Sequence, residues 1–160
     1  MNGQGAALSI ADAMALAVEA SESARGISSP NPAVGAVVLD ASGVVVGIGS
    51  TRPPGGPHAE IVALAEAGDR ARGGTAVVTL EPCNHTGRTG PCSQALIDAG
   101  IAAVVHAVAD PNPLASGGGA ALRAAGIRVE QGIGETAVRQ GPLRAWLHKQ
   151  RTGRPHVTWK

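Results

Sequence analysis

At 160 residues, 44% of them hydrophobic and 16% charged, the chain has the size of one domain that can bury a core without disulfide staples. Lys+Arg 13 against Asp+Glu 12 gives a formal net charge of +1, so there is no broad electrostatic attraction to nucleic acid or an acidic membrane. With no Phe or Tyr and only Trp146 and Trp159 as aromatics, the chain lacks the stacking platforms of single-strand binders, and its core must be Ala, Val, Leu and Ile.

Residues 1–8 read as a loose start. Ser9 followed by Asp12 is the signal for a capped, Ala-rich helix running to about Arg25. Asp12, Glu19 and Glu22 within it rule out a signal peptide or membrane span there. With nothing that suggests secretion, the two cysteines argue for a reducing, cytoplasmic setting over a disulfide. Ile27–Pro32 is a loop holding Asn31 between two prolines. The β-branched runs Val34–Leu39 and Val44–Ile48, joined by Asp40–Gly43, predict a hairpin. Thr51–Pro57, with three prolines and two glycines, must be a loop.

Helices and strands then alternate. His58–Ala67 predicts a helix, Ala76–Leu80 a strand and Glu81–Gly90 a rigid loop. Pro91–Ala99 suits a helix with Pro in its first turn. Ala102–Val108 reads as a strand, Asp110–Pro113 as a turn, and Ala120–Ala125 as a helix that Gly126 ends. A short strand at Ile127–Glu130 and a last helix over Glu135–Gln150 complete the pattern. A hairpin followed by strand–helix units implies a three-layer α/β/α sandwich around a mixed sheet of about five strands. Residues 1–150 are expected to form this domain, and 151–160 a tail.

The chemistry concentrates at His58-Ala59-Glu60, Pro82-Cys83 and Cys92, which include both cysteines of the chain. Zn²⁺ takes imidazole and thiolate ligands, and a catalytic site leaves one position for water. His58, Cys83 and Cys92 are therefore the candidate metal ligands. Helix starts at His58 and Cys92 would aim N–H groups at the site and favour thiolate. Glu60 is better placed to carry protons between water, a ring nitrogen and a departing amine than to ligate. Each piece alone is commonplace: a lone His-Ala-Glu is usually helix surface, and an isolated cysteine usually a small hydrophobe. A structural zinc site would need a fourth protein ligand, and His85 has the sequence position to supply it.

These residues resemble the cytidine-deaminase-like zinc superfamily, whose usual pattern is His-x-Glu followed by Pro-Cys-x-x-Cys. Here eight residues, Asn84 to Pro91, separate the cysteines. That longer spacing, Pro82-Cys83-Asn84-His85-Thr86-Gly87-Arg88-Thr89-Gly90-Pro91-Cys92, is similar to one branch, the pyrimidine deaminases of riboflavin biosynthesis, usually half of a bifunctional deaminase–reductase. Asn31-Pro32-Ala33-Val34-Gly35, Thr79-Leu80-Glu81-Pro82-Cys83 and Asp110-Pro111-Asn112-Pro113 carry the same likeness, which covers about residues 9–160.

The resemblance implies a cytidine-deaminase-like fold and hydrolytic loss of the 2-amino group from 2,5-diamino-6-ribosylamino-4(3H)-pyrimidinone 5′-phosphate. It implies that His58, Cys83 and Cys92 hold zinc, that Glu60 shuttles protons, and that Asn31, His85, Asp110 and Asn112 shape the substrate pocket. The residues themselves agree in kind. An Asn31 stiffened by prolines can aim its amide at a pyrimidinone edge, although Asn, like the Asp-Pro-Asn-Pro run, is also an ordinary turn residue. Arg88 is the candidate for the ribose phosphate, its alternative being a solvated surface Arg. His106, His148 and His156 read as structural. The chain departs from the branch at Thr51, where a substrate-binding His is common, at Gly56, where a charged residue often sits, and at Thr89-Gly90-Pro91 in place of Thr-Pro-Pro.

The segment Arg151–Lys160 resembles the opening of the reductase domain in bifunctional members, so the reductase itself is expected elsewhere. Self-association into a homo-oligomer is expected of an Ala-rich, aromatic-poor chain with such a strand-like end. The rivals to the leading reading are a deaminase of the same fold acting on a free base or nucleoside, and a non-catalytic structural zinc domain.

Overall fold

The computed structural model describes residues 5–85 and 90–159. Five strands form one mixed sheet: β1 (Gly35–Leu39), β2 (Val45–Ser50), β3 (Thr75–Leu80), β4 (Ala103–Val108) and β5 (Arg128–Gln131), in the order β2-β1-β3-β4-β5. β1 runs antiparallel to both β2 and β3, whereas β3, β4 and β5 are parallel. The predicted hairpin is present. Asp40 closes it, its Oδ1 accepting from the Ser42 and Val44 amides at 2.8 and 3.0 Å. A bulge interrupts the β1–β2 register between Val38 and Leu39.

Six α-helices and a 3-10 turn (Gly68–Ala71) complete the described elements: α1 (Ile10–Glu22), α2 (Ala59–Ala67), α3 (Cys92–Asp98), α4 (Gly118–Ala124), α5 (Glu135–Gln140) and α6 (Arg144–Thr152). The cap predicted at Ser9 is made, its hydroxyl accepting from the Asp12 amide at 3.1 Å. The strand register shows that helices cover both faces. Gly35 pairs with Ser50, and a side chain added at Gly35 would strike the Ala17 carbonyl of α1. Its strand neighbour Ala36 pairs with Gly49 and so faces the other way, where a Cβ on Gly49 would strike the Ala59 carbonyl of α2. α1 and α2 therefore lie on opposite sides of the sheet, and the three-layer sandwich is realised.

These close approaches explain the composition. Helices whose buried faces include Ala13 and Ala17, or Ala59, Ala63 and Ala67, can ride directly on strands rich in Gly, Ala and Val. The core is correspondingly aliphatic, with Val37, Val77, Val78, Val104, Leu96, Leu122 and Leu143 fully buried.

Two predicted elements need correction. The expected single helix over 135–150 is two, because Pro142 has no N–H for the helical ladder and Gly141 leaves the helical conformation at φ −108°, ψ −114°. Pro91 was expected inside the first turn of its helix but is the residue before it, with extended ψ of 150°. No helix among the described residues is long and apolar enough to cross a membrane.

Candidate active site and metal centre

The sheet's topology gathers one edge into a site. The carboxyl ends of β3 and β4 meet the start of β1 there, because β1 runs antiparallel to β3. The end of β2 joins them, since β2 runs antiparallel to β1. Crevices at the carboxyl ends of strands are where open α/β sheets bind ligands. His58 is the extended N-cap residue of α2, but its side chain makes no cap bond and stays available. Cys83 follows the end of β3, and Cys92 opens α3.

The three side chains converge. His58 Nδ1 lies 3.6 Å from Cys83 Sγ and 3.3 Å from Cys92 Sγ, and all three donor atoms fall within 4.8 Å of one another. A tetrahedral zinc with ordinary Zn–N and Zn–S bonds spaces its nitrogen and sulfur ligands about 3.6 Å apart. One imidazole nitrogen and two sulfurs at this spacing therefore fit zinc, with room for a fourth ligand. His85 is not part of the cluster, which among the described residues holds three ligands only. That removes the specific support for a closed structural site.

Without metal, the electrostatics poise one of the three ligands, Cys83, as thiolate. A hydrogen bond from the Cys92 thiol, with help from His58 and the Cys92 backbone N–H, pulls the Cys83 thiol down to about 4. The backbone contact is 3.3 Å long. The Cys92 thiol is pushed up in turn, by holding the shared proton and by burial, so the metal-free pair carries one thiolate. The hydrogen bond with Cys83 raises His58 above its ordinary value. Burial pushes Glu60 up to about 7, the neighbouring Cys83 adding to the rise. Only 5% of Glu60 is exposed, which is rare for a carboxyl group without a function.

His58, Glu60 and Cys83 line a cavity of ≈ 300 Å³. Asn31, Thr51, His85, Asp110 and Asn112 line it too, so every described residue singled out for the pocket is there; Arg88 lies outside the described residues. Their states differ. Asn31 is tied through its backbone, its N–H donating to the Ser28 carbonyl at 2.9 Å, and its side chain does not bond its own turn. Asp110 and Asn112 do act as turn residues, accepting from the amides of Asn112 and Leu114 at 2.9 and 3.1 Å, yet they remain on the cavity wall. The Thr51 hydroxyl accepts from the Val34 amide at 3.0 Å, so it pins β1 to the loop after β2.

The structure also brings in residues that sequence reasoning left without a role. Glu81 accepts from the amides of Asp110 at 3.2 Å and Gly119 at 3.0 Å, fastening the Asp110–Asn112 turn to α4. Trp146 and Gln150 reach the cavity from α6. Glu81 was visible as the residue before Pro82-Cys83, and Trp146 as one of two aromatics, but neither carried a signal of its partners.

A three-layer sandwich with an imidazole, two thiols and a buried carboxyl at one sheet edge defines a zinc-site α/β domain of the hydrolytic deaminase kind. The chain belongs to the family described as the cytidine and deoxycytidylate deaminase zinc-binding region, which matches residues 9–108. Among its relatives, riboflavin biosynthesis protein RibD of Mycobacterium tuberculosis is 57% identical over 152 residues, covering 95% of this chain and 45% of the relative. Among solved structures, Acinetobacter baumannii RibD superposes with a TM-score of 0.84 at 43% identity, over 92% of this chain and 41% of that one. A Thermotoga maritima diaminohydroxyphosphoribosylaminopyrimidine deaminase/5-amino-6-(5-phosphoribosylamino)uracil reductase gives a TM-score of 0.88 at 38% identity, over 92% and 43%. The chain thus spans less than half the length of each of these relatives.

Proposed function

We propose that this domain is a zinc-dependent aminohydrolase that removes the ring 2-amino group of 2,5-diamino-6-ribosylamino-4(3H)-pyrimidinone 5′-phosphate, releasing ammonia. The observation that carries the reading is Glu60, a buried carboxyl beside an N/S/S zinc donor set on the wall of a cavity of ≈ 300 Å³. In it His58, Cys83 and Cys92 hold the metal. When bound, zinc supplies a Lewis acid that makes water acidic enough to attack at neutral pH.

Glu60 does the proton work. Its carboxylate takes a proton from the attacking water as the new C–O bond forms at the ring carbon. It delivers that proton to the adjacent ring nitrogen, then takes the proton of the new hydroxyl and passes it to the amine, whose C–N bond breaks to give ammonia as the hydroxyl oxygen becomes the carbonyl. Asn31 offers its free carboxamide to the pyrimidinone edge. His85, Asp110 and Asn112 supply further polar contacts, Thr51 acts by holding the loop it belongs to, and Arg88 meets the phosphate. A phosphorylated substrate is favoured over a free base by a second hollow that adjoins the cavity through Gln150. That hollow is lined by Arg139, Arg144, Arg151, His148 and His156, of which Arg139 is paired with Glu135. We place the reductase step outside residues 1–160 and expect the domain to self-associate.

The test is ammonia release from this substrate by zinc-quantified protein, wild type against Glu60→Gln. Loss of one proton carrier is expected to reduce kcat by about 10²–10⁴-fold with one zinc per chain retained. Full zinc with equal rates in both proteins would remove Glu60 from the mechanism, and full zinc with no turnover in either would remove the substrate.

A further inference from the structure

The family match ends at residue 108, and α6 begins 36 positions later at Arg144, yet α6 reaches the cavity that holds Glu60. It does so with Trp146 and Gln150, which are four residues apart and so share one face of the helix. Trp146 is partly buried against the hydrophobic core. Trp146 also lines a second hollow of ≈ 330 Å³, whose wall again includes Pro30 and Asn31. Trp146 therefore borders both the catalytic cavity and this second hollow, beside the Pro30–Pro32 loop. The rest of the described lining offers imidazoles, carboxyls, amides and short aliphatic groups, but no other indole or phenyl surface. Gln150 stands between the cavity and the cationic hollow.

We propose that α6 is a specificity-determining wall of the active site. Trp146 supplies the apolar surface against which the aminopyrimidine ring lies, and Gln150 supplies a carboxamide that hydrogen-bonds the sugar on the way to the phosphate. The inference rests on the substrate class proposed above and adds two contacts that the zinc motif does not contain. A flat heteroaromatic ring gains from an indole face whatever its exact substituents, so Trp146 sets affinity for the ring, while Gln150 discriminates a ribosylated substrate from a free base.

The sequence itself provides a probe. The only other tryptophan, Trp159, is 92% exposed and lines none of these hollows, so Trp159→Phe leaves Trp146 as the sole indole. In that background, with Glu60→Gln to prevent turnover and zinc loaded, titration with the phosphoribosyl-aminopyrimidine is expected to give a saturable change in tryptophan emission. In the Glu60-containing enzyme, Trp146→Ala is expected to raise KM by roughly 5- to 150-fold, the equivalent of one base-stacking contact, with a smaller effect on kcat. Trp146→Phe should recover part of the loss, and zinc content with thermal melting will show whether each variant is folded. Gln150→Ala should raise KM for the ribosylated substrate. Saturated binding with unchanged emission, or turnover with KM indifferent to Trp146→Phe and Trp146→Ala, would overturn the inference while leaving the deaminase reading intact. A substrate neither bound nor turned over by zinc-loaded wild type would overturn both.

Discussion

His106 is 1% exposed in the middle of β4, and its Nδ1 has no hydrogen-bond partner among the described residues. Burial holds its pKa below the usual 6.5, with Glu81 pulling the other way and Arg123 adding to the burial effect. In the unfolded chain the imidazole binds a proton below about 6.5, whereas in the folded protein it resists doing so until lower pH. The unfolded state therefore holds more protons in that window, and stability falls as pH drops from 6.5. Denaturant melts at pH 7 and pH 5.5 are expected to show a loss for wild type that His106→Leu makes smaller; equal losses would show that His106 does not titrate on unfolding. The same region shows where the sequence stopped being legible. His58, Cys83 and Cys92 announced themselves because a metal needs particular atoms at particular spacings, and those are written in residue types. Glu81 did not, because it accepts two backbone N–H groups 29 and 38 residues away, and backbone partners that distant leave no local pattern in a sequence.

Elements were legible where the signal was local. The Ser9 cap, the Asp40–Gly43 hairpin and the alternation after His58 are each short-range patterns, and each is present. The break between α5 and α6 was written in Gly141-Pro142, but a continuous helical pattern on both sides masked it; the cost of that reading was to hide how α6 swings onto the active site. Less visible still was why α2 is set where it is. Gly49 of β2 passes so close to the Ala59 carbonyl that a methyl group there would overlap it, so the height of α2 above the sheet is set by a hydrogen atom. His58 and Glu60 ride on that first turn. Gly49→Ala must push the N-terminus of α2 away, at a cost of about 1–3 kcal/mol for overpacking. The displacement acts on the ligand as well as the fold, so zinc affinity is expected to fall with the melting temperature. Zinc competition against a chromophoric chelator checks it: a Gly49→Ala protein that melts early but binds zinc as wild type does would show that α2 and the metal site are not coupled.

For the molecule as a whole, zinc held by His58, Cys83 and Cys92 would tie together three separate elements of the fold. His58 belongs to the helix on the β2 edge, Cys83 to the loop after β3, and Cys92 to α3, whose neighbours in the outer layer are α2 and α4. The core beneath them has no Phe or Tyr, and its helices bury mainly methyl groups, so less apolar area backs each element than in an aromatic-rich domain. A ligand that binds only the folded state stabilises it by RT ln(1 + [L]/Kd), about 2.7 kcal/mol at 100-fold free zinc over Kd. For a domain of this size that corresponds to a rise in melting temperature of about 5–11 °C. Stripping zinc with a chelator is therefore expected to lower the melting temperature by this amount, and restoring zinc to recover it. Acid should do the same as a chelator, since protons compete for the imidazole nitrogen and for the thiolates that ligation requires. Cys83→Ser supplies the control, because it removes one ligand with little change in volume and should melt near the stripped wild type whether or not zinc is present. A stripped protein that melts with the zinc-loaded one would mean that the three ligands are held in place by packing alone, and that the metal serves the chemistry without supporting the fold.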